Sequence, residues 1–291
     1  MNATTQRFPV KDYDLAATLA SGQTFRWRQV DGAWEGVVAQ TWVRLEMEQG
    51  SIVAETATEA MSWEWLEEYL QAQVDLSRVV ASFPNDVPMC ESVAACHGLR
   101  LLKQEPWECL ASFILSSTKQ IVQIQQIVEL LCLRYGERVA TPMGRAPVYA
   151  FPRPERLAQC TEAELRESKM GFRAKYLLAA AQAVASGRLD LESLRSVSCA
   201  EAREKLMELP GVGRKIADCV LLFAYGFQEA FPVDVWVLKA LQQLYFPKRR
   251  ASAKRLAKFT ATYFGPYSGY AQQYLFHYMR TRIGRAGKKA K

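Results

Sequence analysis

The sequence predicts an α+β protein: a twisted antiparallel sheet with helices near the N-terminus, followed by a mainly helical remainder. Three observations carry this. Val43, Leu45 and Met47 alternate with Arg44, Glu46 and Glu48, the period-two pattern of a half-buried strand. Gln49-Gly50 reads as a hairpin turn, with Ser51 to Glu55 as the return strand. From Pro106 onward, apolar residues recur at helical spacing with only short interruptions.

Along the chain, Phe25-Arg26-Trp27 and Trp34-Glu35-Gly36-Val37 read as two further short strands. The pattern turns helical around Glu59. Pro106 suits the first turn of a helix through Trp107, Leu110 and Phe113. A second helix carries Ile121, Ile124, Ile127, Val128 and Leu131. Residues 146–154 form a proline-bearing loop, and further helices are expected over 161–169, 174–186, 199–208, 215–225, 235–246 and 267–282. These spans suggest an α+β domain over residues 1–104, a helical domain over 105–283 and a disordered basic tail over 284–291. No internal repeat is present.

Composition narrows the function classes. A chain of 291 residues can bury a large core, and 49% hydrophobic with 23% charged residues is ordinary globular composition. No run approaches the ~18 apolar residues of a membrane span, and the N-terminus lacks a hydrophobic signal core, so no membrane partner is expected. The seven cysteines, at 90, 96, 109, 132, 160, 199 and 219, include no close CxxC pair, which argues against a metal site and a disulfide framework. A reducing, intracellular compartment fits. The net charge of +7 is partly concentrated in residues 247–258 and 282–291. The tail reads as a solvated end, with a DNA-tracking arm as the alternative.

Chemistry concentrates between Leu209 and Leu241. A bare glycine turn between helices is usually structural. The fuller pattern here, Leu209-Pro210-Gly211-Val212-Gly213, reads as a helix-hairpin-helix. Its glycines allow positive φ and close approach, and amides at a helix N-terminus bind anions. Gly211, Val212 and Gly213 would thus grip a DNA phosphate without reading sequence. Lys215 follows in the first helical turn. It is either a surface lysine on a phosphate or an amine nucleophile for a sugar carbon, with the helix N-terminus, partial burial and Arg214 pushing it toward the neutral form. Cys219 lies one turn on, on the same face, either lining the same pocket or in ordinary core. Asp234 comes nineteen residues after Lys215, before an apolar helix. It suits an N-cap bonding to Trp236 or Val237. Beside Lys215, an ionised carboxylate would also stabilise an oxocarbenium cation or move protons.

Together these segments resemble the helix-hairpin-helix (HhH-GPD) superfamily of base-excision DNA glycosylases. The lysine is similar to that of the bifunctional branch, which joins glycosylase to abasic-site lyase activity, and the 8-oxoguanine DNA glycosylases match most closely. The likeness runs from about Leu15 to Met279. It implies a TBP-like N-terminal sheet, Lys215 as nucleophile and Asp234, in Pro232-Val233-Asp234, as the catalytic aspartate. In Ser21-Gly22-Gln23-Thr24-Phe25-Arg26-Trp27, the Gly22 carbonyl would accept N7–H of the oxidised base, which ordinary guanine lacks. Cys219 would contact one face of the flipped base. Gln272 would bond its Watson–Crick edge and Phe276 stack on its other face, the two being four apart on one helix. Gly171-Phe172-Arg173-Ala174-Lys175-Tyr176 resembles the wedge region, with Phe172 filling the gap left in the duplex and Arg173 facing the orphaned cytosine.

The chain departs from that pattern after Ser116-Ser117. An asparagine run is expected there, and Thr118-Lys119-Gln120 stands in its place, with Thr118 as the DNA-contacting residue. Gln123 stands where a second cytosine-reading arginine is expected, and Trp236 where a histidine is. Weaker preference for cytosine opposite the lesion is the expected consequence. The resemblance also implies a monomer acting on double-stranded DNA containing oxidised guanine, in the nucleus of a eukaryote or the cytoplasm or nucleoid of a bacterium. No cofactor is implied. Relatives with an iron–sulfur cluster carry four close cysteines after the aspartate, and none follows Cys219 here. An oxidised-pyrimidine glycosylase of the same fold and a non-catalytic DNA-binding hairpin module remain the alternatives.

Overall fold

Alternation in the sequence becomes a sheet because one face of each strand must leave water. The computed structural model describes residues 4–117, 119–248 and 251–289. Strands β1 (Thr4–Pro9), β2 (Arg28–Val30), β3 (Ala33–Val38), β4 (Thr41–Glu48) and β5 (Ser51–Thr56) form an antiparallel sheet of order β1-β5-β4-β3-β2, with helix α1 (Leu15–Ala20) between the first two. Val43 and Leu45 on β4 and Ile52 and Ala54 on β5 are fully buried. Glu48 pairs with Ser51 across the predicted Gln49-Gly50 turn, in which both residues have positive φ. That is the two-residue turn whose twist suits a hairpin. Met47, at the strand end, stays exposed despite its place in the alternation.

Two strand expectations need correction. Phe25-Arg26-Trp27 is irregular, and β2 starts only at Arg28. The three side chains go to three places and so cannot alternate across a pleat. Phe25 packs edge-on to Phe113, Arg26 donates to the Tyr149 carbonyl at 2.6 Å, and the Trp27 indole donates to the Tyr69 hydroxyl at 2.8 Å. In the other direction, β1 was not anticipated. It is an edge strand in which Phe8 alone is buried, so it has no apolar pattern to read.

The helical part follows. α2 (Glu64–Leu70), α3 (Leu76–Ala81) and α4 (Val87–Ala95) precede α5 (Pro106–Leu115) and α6 (Ile121–Tyr135). A small hairpin, β6 (Arg138–Val139) with β7 (Val148–Tyr149), leads into α7 (Pro154–Ala158), α8 (Glu162–Leu165) and α9 (Ala174–Ala185). The rest are α10 (Cys199–Met207), α11 (Arg214–Val220), α12 (Val235–Ala240), α13 (Ala253–Tyr263) and α14 (Ser268–Lys289). α11 and α12 run on through wider turns, Leu221–Tyr225 and Leu241–Tyr245, giving the lengths expected. α5 starts at Pro106, with the Glu105 carboxylate accepting from the amides of Trp107 and Glu108. The helix expected over 161–169 ends early, because Lys169 takes a left-handed φ of 63°. α13 was missed inside a basic run. Ser252 caps it, and Leu256 and Thr260 supply its buried stripe. The tail expected to be disordered from 284 continues the α14 backbone to Lys289.

The cores do not follow the division at residue 104. One gathers the sheet, Trp27, Leu66 and Leu70. A second joins Leu76, Val79, Met89 and Leu99 to the helices after Pro106, and a third packs Val37, Trp42 and Ala57 against Val139 and Ala150. α14 ties the two ends of the chain together. The Tyr274 hydroxyl donates to the Leu99 carbonyl at 3.1 Å, and the Gln273 amide donates to the Ser21 carbonyl at 3.3 Å.

Gln23, fully buried, is the knot between them. Its side-chain amide donates to the carbonyls of Thr18 at 2.9 Å and Arg100 at 2.8 Å, and its oxygen accepts from the Leu102 amide at 2.8 Å. Gln23→Ala leaves these backbone groups unpaired in the interior. The expected loss is about 3 kcal/mol of unfolding free energy, measured by urea denaturation.

Candidate active site

Lys215 and Asp234 open onto the same cavity, of about 860 Å³. α11 carries Lys215 because Gly213, in extended conformation, lets the chain enter the helix just after the hairpin. The Lys215 Nζ donates to the Ser116 hydroxyl at 3.2 Å and lies 5.1 Å from the centre of the Phe113 ring. Arg214 was expected to act on Lys215 as a neighbouring charge. It instead pairs at 3.5 Å with Asp218, which is buried and also bonded to Arg203 at 2.6 Å, so its charge is offset.

Asp234 caps α12 as predicted. Its Oδ1 accepts from the amides of Trp236 at 2.9 Å and Val237 at 2.8 Å. Burial raises the Asp234 pKa above that of a free aspartate, although both amides and the positive charge of Lys215 pull the other way and favour the ionised form. Cys219 is buried on the cavity wall, and burial pushes its thiol up to about 12, so it is a neutral, apolar surface.

The far wall comes from the two ends of the chain. Gly22 has a φ of +82°, and a Cβ there would meet Ile121 Cδ1 at 2.6 Å and Phe276 Cε1 at 3.6 Å. Only a bare backbone fits. Gln272 is 4% exposed, yet its Oε1 has no hydrogen-bond partner among the described residues. A buried acceptor left open is costly unless something donates to it. Phe276, partly exposed, lines the same space, and the Arg280 guanidinium sits 5.8 Å from its ring centre while bonding to the Ala20 carbonyl at 2.6 Å.

The hairpin and the wedge segment lie outside this cavity. Gly211 has positive φ, and any Cβ on it would strike the Tyr176 ring at 2.4 Å. Gly213 has a φ of −93°, so of the two glycines only Gly211 uses a conformation that other residues avoid. Gly211 and Gly213 are exposed, while the Val212 side chain is buried and its amide is spent on the Leu209 carbonyl. Phe172 is 49% exposed and packs edge-on to the same Tyr176. Arg173 is 3% exposed, and its guanidinium donates to the carbonyls of Ser117 and Met170, so it does not stand out into solvent. Gln123 accepts from the Gln120 amide at 3.0 Å as part of the α6 cap. Thr118 lies outside the described residues.

Sequence reasoning missed Ser116, Ile121, Gln273 and Arg280 as cavity residues. Nothing local marks them. Their helical positions suit core or surface equally well, and only packing turns them inward.

Comparison with known proteins agrees with this geometry. Residues 6–110 match the family model of the 8-oxoguanine DNA glycosylase N-terminal domain, and residues 111–266 that of the HhH-GPD superfamily base excision DNA repair protein. The chain is 32% identical over 298 residues to the N-glycosylase/DNA lyase OGG1 of Arabidopsis thaliana, covering 94% of this chain and 80% of that one. It is 29% identical over 305 residues to a probable N-glycosylase/DNA lyase of Methanothermobacter thermautotrophicus, covering 94% and 96%. Among solved structures it is similar to MBOgg1 in complex with a low affinity DNA ligand, at 33% identity and a TM-score of 0.90 over 97% of this chain and 99% of that one. It is also similar to the Clostridium acetobutylicum 8-oxoguanine glycosylase/lyase bound to duplex DNA with cytosine opposite 8-oxoG, at 31% identity and a TM-score of 0.88 over 96% and 98%. With both halves matched in order and the lysine and aspartate brought to one cavity, the chain belongs to the HhH-GPD superfamily of base excision DNA repair proteins, in the branch with the 8-oxoguanine DNA glycosylase N-terminal domain.

Proposed function

We propose that this enzyme, a base-excision DNA glycosylase with lyase activity, removes 8-oxoguanine from duplex DNA, with Lys215 as the covalent nucleophile. The single observation that carries the reading is the shared cavity: an amine, a carboxylate and an open amide oxygen face one space walled by apolar groups. The flipped base enters between Cys219 and Phe276. The Gln272 oxygen, otherwise unpartnered, accepts from the N–H donors of a guanine Watson–Crick edge. A thymine-type pyrimidine offers one such donor, N3–H, where guanine offers N1–H and the N2 amino group. The Gly22 carbonyl accepts N7–H, the donor that separates 8-oxoguanine from guanine. The exposed hairpin residues Gly211 and Gly213 hold a phosphate, and Phe172 fills the vacated stack.

Lys215 attacks C1′ and the base leaves. Asp234, ionised, offsets the positive charge that develops on the sugar. Ring opening leaves a Schiff base, and loss of a C2′ proton then expels the 3′-phosphate by β-elimination. A substrate in genomic DNA supports an intracellular location.

Borohydride trapping tests the nucleophile. With an 8-oxoguanine duplex, the wild type is expected to give a covalent protein–DNA adduct and Lys215→Gln none, while the variant still binds the duplex. An adduct that survives the substitution places the nucleophile elsewhere.

A pH profile tests Asp234. Because burial raises its pKa, the carboxylate protonates, and its help to the cation disappears, at a higher pH than for a free aspartate. The single-turnover rate should fall on the acid side above the usual aspartate range. Asp234→Asn should be slower by about a hundredfold and lack that limb.

Opposite-base preference follows from two side chains already committed elsewhere. Gln123 caps α6, and Arg173 is turned onto main-chain carbonyls. Single-turnover excision opposite cytosine and opposite adenine should agree to about tenfold, the discrimination of one modest contact. A difference of several orders of magnitude rejects this.

A further inference from the structure

Ser116 ends α5 where that helix meets the cavity. Its hydroxyl makes two contacts. It donates to the Phe113 carbonyl at 2.7 Å and accepts from Lys215 Nζ at 3.2 Å. A serine hydroxyl has one proton and two lone pairs. With the proton committed to Phe113, the oxygen meets the amine as an acceptor.

That polarity decides whether the contact helps or hinders. An amine reacts through its lone pair, and a hydroxyl donating to that lone pair would mask it. A hydroxyl accepting an N–H leaves the lone pair open and fixes its direction. The Phe113 ring, 5.1 Å from Nζ, occupies a second side. The Cys219 thiol is a further partner of the Lys215 side chain, and the cavity remains as the open direction. We propose that Ser116 is a positioning residue for covalent attack: it holds one N–H of Lys215 so that the free lone pair faces C1′ of the flipped nucleotide. This rests on Lys215 being the nucleophile.

The proton count is consistent with a contact kept throughout. Counted from the ammonium form, Lys215 brings three protons. One is released before attack and ends on the departing base, which leaves with the C1′–N9 electron pair as the amine lone pair forms the new N–C1′ bond. A second moves to O4′ as the sugar ring opens. The third stays on nitrogen in the protonated imine, and this is the hydrogen that Ser116 holds. No oxidant, reductant or metal enters the balance.

The test is single-turnover borohydride trapping with enzyme in excess over an 8-oxoguanine duplex, alongside duplex affinity measured without borohydride. Ser116→Ala is expected to slow adduct formation about tenfold, because a misdirected nucleophile loses orientation rather than binding. Duplex affinity should stay at the wild-type value, which also reports that the variant is folded. Ser116→Thr keeps the hydroxyl and is expected to trap within threefold of wild type. Wild-type trapping by Ser116→Ala overturns the proposal, as does a Ser116→Thr variant as slow as Ser116→Ala, which would make shape rather than the hydroxyl the cause. Absence of any adduct with the wild-type protein would instead remove Lys215 as nucleophile, a separate failure.

Discussion

Placing an amine and a carboxylate inside one largely apolar cavity is the constraint around which this molecule is arranged. Charged groups removed from water need partners. Asp234 finds two helix amides and the positive charge of Lys215, and Lys215 finds the Ser116 hydroxyl. The buried, doubly bonded Asp218 lies one position before Cys219 and keeps Arg214 outside the cavity. Each charge is thus satisfied locally, and the cavity can stay open and apolar enough for a base.

Closing that cavity requires both ends of the chain. α14 brings Gln272, Phe276 and Arg280 across to Gly22, and the Gln273–Ser21 and Arg280–Ala20 hydrogen bonds hold the seam. Gly22 sits so close to Ile121 and Phe276 that a side chain there would displace one of them. Gln23, next to it, is locked to Thr18, Arg100 and Leu102. The backbone at Gly22 is therefore held in place by its neighbours on both sides. The hairpin and the wedge are joined in a similar way, since Gly211 and Phe172 both rest on Tyr176.

At the edge of the site, side chains are also tied into helix caps. Trp236 lines the cavity beside Asp234, and its amide serves the Asp234 cap as any residue's would. Gln123 is absorbed into capping α6. At Trp236 a helix cap and the cavity wall share one residue, the backbone serving the cap and the side chain the wall.

The sequence by itself determined the parts whose physics is local. The β4–β5 hairpin follows from alternation and a Gln-Gly turn, the Asp234 cap from an acid before an apolar helix, and the hairpin before α11 from its glycines. The Lys215–Cys219 face follows from helical spacing alone. Tertiary structure decided the rest. β1 has almost no pattern because an edge strand buries one residue, α13 hides its buried stripe within a basic run, and Phe25-Arg26-Trp27 breaks alternation to serve three separate contacts. Burial raised Asp234 against the pull of its cap, and the turn of Arg173 onto two carbonyls took it from solvent. Both depend on how many atoms from distant segments crowd around a group. Nearest neighbours in the chain carry no record of that number.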